Sequence, residues 1–540
     1  MTGDGRIDLL GLSEDGRPRI IVSRGNRKYH WQVVRPRVRA VRGDGRINSY
    51  ALGGEVLVRS GLLAQRRPIR TPMVHFGLGE YDLANVVRVQ WPNGTIQAEF
   101  AVAADQTILA QQRLKGSCPW VFAFNGEEMA FIKDFLWRSP LGMRINAQVT
   151  AGVSQTEDWI LIRGDELVSR DGLYDIRITS ELWETQFVDW VELMVVDHPP
   201  DVAVFVDERF AMQQPDLKVI PTGTPVALNA ARDEAGRDVA AMVSARDARY
   251  LDTFELGRYQ GVAADHWVEV DLPQAAKNAG GWLIGYGWIY PTDSSINVAM
   301  GHGADVRPRG LRLDALRSDG TWETVKPDLG FPAGKFKTIA IDLAGVKSSR
   351  LRLRTNLEIY WDWLAWAERA DGAQLKTHRV RSRTAALRGR GFSEISHPDR
   401  RSPDVPLYSA PANTAPRWWD LRGYHTRFGD VRPLLAVVDD RYVIMNAGDE
   451  LVLSFPDPGP PPDGWVRDFV LMGDGWVKDG DYNTAFSRTV LPLPSHAWSS
   501  YETPPGRLED DPVYRRNPMD WQEYHTRYVT PEISRMHAGR

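Results

Sequence analysis

The sequence predicts an all-β, multi-domain protein, and three observations carry that expectation. The aromatic load is heavy, with 20 Trp, 17 Tyr and 17 Phe in 540 residues, and large flat side chains suit pleated, half-buried surfaces. Apolar and polar residues alternate with period two in many short segments, which places one strand face on a core and the other in water. Turn formers are plentiful, with 47 Gly and 35 Pro, each able to supply backbone angles that other residues resist. At roughly 150 residues per domain the length allows three or four domains.

The alternation is legible in order along the chain. Tyr174, Ile176 and Ile178 are interleaved with Asp175, Arg177 and Thr179. The segment 267–272 (WVEVDL) reads similarly, and Leu351, Leu353 and Thr355 are interleaved with Arg352 and Arg354. Between the strand-like segments 86–90 and 95–102 lies Trp91-Pro92-Asn93-Gly94. Pro92 pre-sets the first turn residue and Gly94 accepts a positive φ, so a hairpin with a bulge is predicted. Asn125-Gly126 and Ser318-Asp319-Gly320 predict two more hairpins. The best helical period lies over 226–243. From about Gly372 the texture changes: proline clusters interrupt short strands such as 442–445 and 451–455. The last forty residues, polar but rich in Trp and Tyr, read as a long surface wrap. Tyr-His-Thr-Arg occurs at 424–427 and again at 524–527, and without similarity around it the repeat reads as coincidence.

Charge and cysteine content exclude several classes. The net charge of −4, from 66 basic and 70 acidic residues, supplies no global field toward nucleic acid or membrane. One cysteine, Cys118, excludes an intrachain disulfide framework and a Cys-based zinc site; beside Pro119 in an apolar context it reads as a buried, inert thiol. No run approaches the roughly 20 apolar residues of a membrane-spanning helix. The opening MTGDGRIDLLG lacks a signal-peptide pattern, so export would rest on a signal upstream.

Two sets of residues resemble known families. Gly3-Asp4-Gly5-Arg6-Ile7-Asp8-Leu9-Leu10 resembles the second half of an FG-GAP/VCBS repeat, a propeller-blade motif. The stretch from Ile47-Asn48-Ser49-Tyr50, through His75-Phe76-Gly77-Leu78-Gly79, to Val89-Gln90-Trp91-Pro92-Asn93-Gly94 and Gln97 resembles the ASPIC/UnbV domain. The combination is similar to the cartilage acidic protein-like family in its long bacterial form. That resemblance implies an extracytoplasmic protein (periplasmic, cell-surface or secreted) and carries over no activity for the stretches that follow the ASPIC/UnbV-like module. It also implies a partial blade at 1–38, an ASPIC/UnbV-like β module at 39–112 and a small β domain at 113–215. A jelly-roll sandwich of galactose-binding-like pattern is expected at 216–370, followed by a Pro-rich β/loop region at 371–540. A lone half-blade cannot bury its own face, so residues 1–33 are expected to dock on the neighbouring module, pair with a partner chain, or be loosely held.

Candidate sites follow from residue chemistry. Calcium, which takes six to eight oxygen ligands, is the candidate cofactor at Asp4 and Asp8, and at Asp479, Asp481 and Asn483. Each set is short of a full ligand shell, and a solvated turn competes with it. Glu358, Tyr360, Trp361, Asp362 and Trp363 mix flat aromatics with carboxylates, the residue types that stack on sugars and bond their hydroxyls; a buried core strand is the competing reading. Between Gly16 and Gly43 there are basic residues but no acid. Arg379, Arg381 and Arg383 alternate as on a strand's solvent face, and no nucleic-acid motif accompanies either group.

No G-x-S-x-G, H-E-x-x-H, P-loop or dinucleotide fingerprint is present. No catalytic residue is assigned, and the expected function is an exported, non-enzymatic binding or assembly protein for glycan, matrix or another protein. A glycan-active hydrolase or lyase is the alternative, because paired carboxylates assemble in space from distant positions. A structural subunit of a larger complex is a third reading.

Overall fold

A computed structural model describes residues 2–530 apart from 3, 26–27, 39–44, 117–118, 154, 214, 229, 277–279, 304–305 and 413–419. The inert-thiol expectation for Cys118 therefore lies outside the described residues, as do Gly3, Arg27, Arg39 and Arg42. The described residues divide into two compact units, one up to Leu114 and the other from Lys115 onward. The regular structure is almost all strand, as the alternation and turn chemistry predict.

Among the described residues the first unit holds three sheets. Leu9–Leu12 and Pro18–Ile21 form a two-stranded hairpin. The order Leu63–Pro68, Glu55–Ser60, Leu83–Gln90, Ile96–Ala103 makes an antiparallel sheet, and Val74–Gly79, His30–Arg37, Gln106–Gln111 make a third. In that third sheet His30–Arg37 and Gln106–Gln111 run parallel. Val56, Val58, Val87 and Val89 from one sheet share a core with Val34, Phe76 and Leu78 from the other.

The second unit contains two sandwiches. In the first, a six-stranded sheet runs Met129–Asp134, Trp120–Phe124, Leu173–Thr179, Asp449–Pro456, Thr384–Gly389, Gly429–Asp430. It faces a sheet of Glu157–Ile162, Val466–Asp479, Glu184–His198 and Lys376–Arg381, with Val443–Met445 also paired to Glu184–His198. Ile176, Ile178, Leu451 and Leu453 pack across a common core onto Leu193, Val195 and Leu471. Strands from 113–215 and 371–540, expected in successive regions, thus share both sheets: Ile176 pairs Leu453 and Leu193 pairs Leu471.

The second sandwich is inserted between Glu184–His198 and Lys376–Arg381, which pair with each other. One sheet runs Val226–Ala227, Ile359–Ala367, Trp282–Ile289, Lys337–Asp342; the other runs Ala231–Arg232, Val262–Asp271, Arg350–Leu357, Arg312–Leu316, Trp322–Lys326. Their apolar faces meet through Val268, Val270, Leu351, Leu353, Ile339 and Leu364. The three predicted hairpins form, across 83–103, 120–134 and 312–326.

The helix expected over 226–243 does not form: only Ala240–Val243 is helical, while Val226–Ala227 and Ala231–Arg232 join the two sheets. Gly236 at positive φ and the Asp233 turn, whose carboxylate accepts from the N–H groups of Ala235 and Arg237, interrupt it. A helix appears instead at Ser294–Gly301, where Asp293 caps the N–H of Ile296 at 2.7 Å.

Buried polar contacts join the two sandwiches. Glu208 is fully buried; its Oε1 accepts Lys133 Nζ and the N–H of Leu161, both at 2.7 Å, and its Oε2 accepts the N–H of Thr338 at 2.6 Å. Asp134 accepts both the backbone N–H and the Nζ of Lys335, at 2.7 and 2.9 Å.

The C-terminal stretch is more than a surface wrap. Tyr501 and Val513 are fully buried beside Phe187, Tyr442 and Trp476. The two Tyr-His-Thr-Arg copies meet: Gly423–His425 pairs antiparallel with Arg527–Val529. The Arg427 N–H donates to Tyr524 O at 2.7 Å, and Arg527 Nε donates to Thr426 O at 3.0 Å. Thr426 Oγ1 lies 3.0 Å from His525 Nδ1, and both His425 and His525 are buried. The two copies thus pack against each other in the fold.

Candidate functional site

The long strand Glu184–His198 loses register against Val466–Asp479 at one point, where Val188 faces Gly475 and Trp190 faces Asp474. Asp189 is the extra residue. A bulge leaves such a residue out of the ladder and re-aims its side chain. Asp189 is fully buried; its Oδ2 accepts the N–H groups of Asp439 and Asp440 at 3.1 and 3.0 Å. Its Oδ1 has no hydrogen-bond partner among the described residues. Asp440, at a positive φ of 64°, places Oδ1 2.7 Å from His496 Nδ1. Its Oδ2 accepts from Ser495 Oγ at 2.7 Å and from the Arg516 guanidinium. The other ring nitrogen, His496 Nε2, lies 2.9 Å from Asp474 Oδ1, and the Trp476 ring packs on the imidazole with centroids 4.5 Å apart.

The electrostatics of the cluster are strongly perturbed. Burial pushes Asp189 up to about 7, against the stabilising N–H of Asp440. For His496 burial opposes the charge, yet the hydrogen bonds to Asp440 and Asp474 outweigh it and push the imidazole up to about 10. Asp440 also resists burial: its bonds with His496 and Ser495 hold it below the ordinary carboxylate range. One ligand atom each from Asp189, Asp440 and His496 can be chosen within 4.8 Å of one another.

The residues singled out in the sequence lie elsewhere. On strand Ile359–Ala367 Tyr360 is buried and stacks on Trp288 at 4.7 Å, and its hydroxyl donates to Glu358 Oε1 at 2.7 Å. Glu358 Oε2 accepts the N–H of Gly261 at 3.0 Å. Trp361 belongs to the sandwich core. Asp362 accepts the N–H of Asp247 at 3.3 Å, and burial pushes its carboxyl up to about 6. Trp363 alone of the five is partly open, with the Arg246 guanidinium 4.7 Å from its ring centroid. Glu358 and Tyr360 are brought together, but the faces of Tyr360 and Trp361 are covered by protein. One face of the strand packs into the sandwich core through Trp361 and Leu364, and on the other Tyr360 is covered by Phe254 and Trp288.

Asp479 Oδ2 meets Lys115 Nζ at 2.6 Å, while Oδ1 accepts the N–H of Asp481 and Thr484 Oγ1. Asp481 Oδ1 accepts from Ser295 Oγ at 2.9 Å and from the N–H of Asn483 at 2.8 Å; Asn483 Nδ2 donates to the same Ser295 Oγ. The positive charge facing this loop is the protein's own Lys115. Burial disfavours that charge, but Asp479, Glu184 and Asp293 outweigh burial and hold the ammonium well above its ordinary range. Asp4 and Asp8 are tied together through Thr2, whose Oγ1 donates to both, at 2.9 and 3.1 Å. Ser23 N–H bonds the remaining oxygen of Asp8 at 3.0 Å. Asp8 is held below its usual range by the N–H groups of Thr2 and Ser23.

In the first unit the WPNG turn closes as expected. Gly94 takes φ 91°, its N–H donates to Trp91 O at 2.8 Å, and Asn93 Oδ1 accepts the N–H and the hydroxyl of Thr95. HFGLG lies on Val74–Gly79, with Phe76 and Leu78 fully buried and His75 stacked on Trp31. Residues 47–116 match the ASPIC and UnbV family model. Within this stretch Trp91 and Phe76 are buried and fill the core. No curated protein matches the chain. Among solved structures, a mutant of the arabinofuranosyltransferase AftD from Mycobacteria aligns at 11% identity with a TM-score of 0.13, a value that carries no argument about fold. The alignment covers 83% of this chain, which spans 31% of that protein's length.

The Asp189–Asp440–His496 cluster was missed by sequence reading. Asp189 lies 251 residues from Asp440, and Asp440 lies 56 from His496; the one local signal is Asp189, which with Glu192 interrupts the apolar run 187–196 (FVDWVELMVV).

Proposed function

We propose that this is an extracytoplasmic binding or assembly protein whose N-terminal hairpin docks on a protein partner. The ASPIC/UnbV match supports a binding or assembly role, and the hairpin itself carries the docking reading. Leu10, Leu12 and Ile20 are 63, 76 and 51% exposed, and Leu9 and Ile21 are 60 and 65% exposed. With Leu10 opposite Ile20 and Leu9 opposite Ile21, alternation puts apolar side chains on both faces. Neither edge is paired to a further strand among the described residues, and a two-stranded hairpin alone is marginal in water. Covering each of these side chains is worth roughly 1–2 kcal/mol. Only a partner that covers both faces therefore offsets the roughly 4–15 kcal/mol cost of association. Arg17, Arg19 and Arg24 are exposed on the same segment, so the partner is a β-rich surface with an acidic rim, extending the hairpin as a propeller-type sheet.

The test combines substitution with binding. Partners captured from a cell-envelope extract by the wild-type chain are purified and titrated against a variant carrying Leu10→Ser, Leu12→Ser and Ile20→Ser. Affinity is expected to fall by about 100-fold or more, at 1.4 kcal/mol per decade, and Arg19→Glu is expected to slow association. Equal affinity of the wild-type and triple-serine chains would sink the docking reading.

A further inference from the structure

We infer that Asp189, Asp440 and His496 form a binding site for one divalent transition-metal ion of the zinc or manganese class, with Asp474 orienting the histidine. The site is distinct from the hairpin and from the calcium candidates. Its donor set is two carboxylate oxygens and one imidazole nitrogen, a combination that suits zinc or manganese better than the all-oxygen shells of calcium. The spacing fits: His496 Nδ1 lies 2.7 Å from Asp440 Oδ1 and 3.7 Å from Asp189 Oδ2. Ligand atoms about 2.0–2.2 Å from a common ion sit about 3.0–3.5 Å apart. The ligand atoms of Asp189 and Asp440 also lie within 4.8 Å of each other.

Two further observations point to a ligand. Asp189 is fully buried with Oδ1 lacking a partner among the described residues, and an unsatisfied buried carboxylate oxygen is costly unless something binds it. His496 presents Nδ1 to the two carboxylates while Nε2 faces Asp474 Oδ1 at 2.9 Å. That is the arrangement in which a ligating histidine donates its second N–H to a carboxylate, which fixes its tautomer and ring angle. Ser495 and Arg516 occupy Asp440 Oδ2 and so aim Oδ1 at the histidine.

Three protein ligands leave at least one coordination position, and the His496 side chain is 32% exposed. The open side admits water or an oxygen donor of a bound ligand, such as a carboxylate or a sugar hydroxyl.

The test uses the full chain, stripped with a chelator and titrated calorimetrically with Zn²⁺, Mn²⁺ and Ca²⁺ alone. One Zn²⁺ or Mn²⁺ per chain, with Ca²⁺ much weaker, is expected. Asp189→Asn and His496→Gln should abolish that binding, and Asp474→Asn, which leaves every ligand in place, should weaken it by about 10–100-fold. Should Asp189→Asn fail to fold, the absorption spectrum of Co²⁺ on the wild-type chain and its change in Asp474→Asn report nitrogen ligation directly. Absence of stoichiometric binding by the wild type, or affinity unaltered by His496→Gln, would overturn the assignment.

Discussion

Replacing Glu208 by alanine is expected to destabilise the second unit by about 3–5 kcal/mol, the cost of removing one partner from a buried ion pair. The carboxylate is fully buried and serves three donors: Lys133 Nζ, the N–H of Leu161 and the N–H of Thr338. Lys133 and Leu161 belong to the first sandwich, and Thr338 to the second. Truncation therefore leaves an ammonium and two amides without their acceptor at the seam of the two sandwiches. Burial already presses the Lys133 ammonium below its ordinary range, with Glu208 the main opposing influence. A companion Lys133→Met substitution in the Glu208→Ala background should recover part of the loss, because an apolar chain needs no counter-charge. Urea unfolding followed by near-UV circular dichroism measures both. A loss under about 1 kcal/mol, the range of exposed pairs, would show that the seam does not depend on this carboxylate.

Acidification supplies the second large effect. His425 and His525 are both buried, and burial pushes them down to about 3 and about 4. Both are neutral in the fold, whereas the unfolded chain takes up their protons below about 6.5. Their contribution to stability is complete above pH 6.5 and is lost as pH falls toward their folded values. At pH 5 the loss is about 2 kcal/mol for each histidine, at 1.36 kcal/mol per pH unit. Raised groups run the other way: Asp362 and Asp420, at about 6 each, take up protons in the fold before the unfolded chain does. The histidine effect is therefore read as a difference between the wild type and a His425→Gln, His525→Gln chain, with urea midpoints taken at pH 7.5 and 5. The wild type should lose more stability on acidification than the variant. Parallel pH profiles would mean that the two histidines are solvated.

Much of this protein was legible in its residues. Tyr174, Ile176 and Ile178 are buried while Asp175 and Arg177 are only partly covered, as their alternation requires, because in a strand each side chain's face depends only on its neighbours in sequence. The WPNG turn was equally local: Pro92 and Gly94 restrict or permit particular backbone angles wherever they stand. The aromatic–acidic segment at 358–363 falls largely on the strand Ile359–Ala367, but residue type alone does not reveal what packs on a strand's faces. Tyr360 and Trp361 are buried because the opposite sheet packs on one face of Ile359–Ala367 while Phe254 and Trp288 cover the other. The helical period at 226–243 lost to sheet pairing for the same reason.

By itself, then, the sequence determined the all-β class, the hairpins and the ASPIC/UnbV region, all of which rest on local backbone preference and side-chain alternation. Only the tertiary structure decided that a sandwich is inserted between Glu184–His198 and Lys376–Arg381, that the two Tyr-His-Thr-Arg copies interlock, and that Asp189, Asp440 and His496 converge. Each of these depends on pairing between distant segments. Such pairing is selected by how apolar faces and buried polar groups satisfy one another across the whole fold, and no window of neighbouring residues records it.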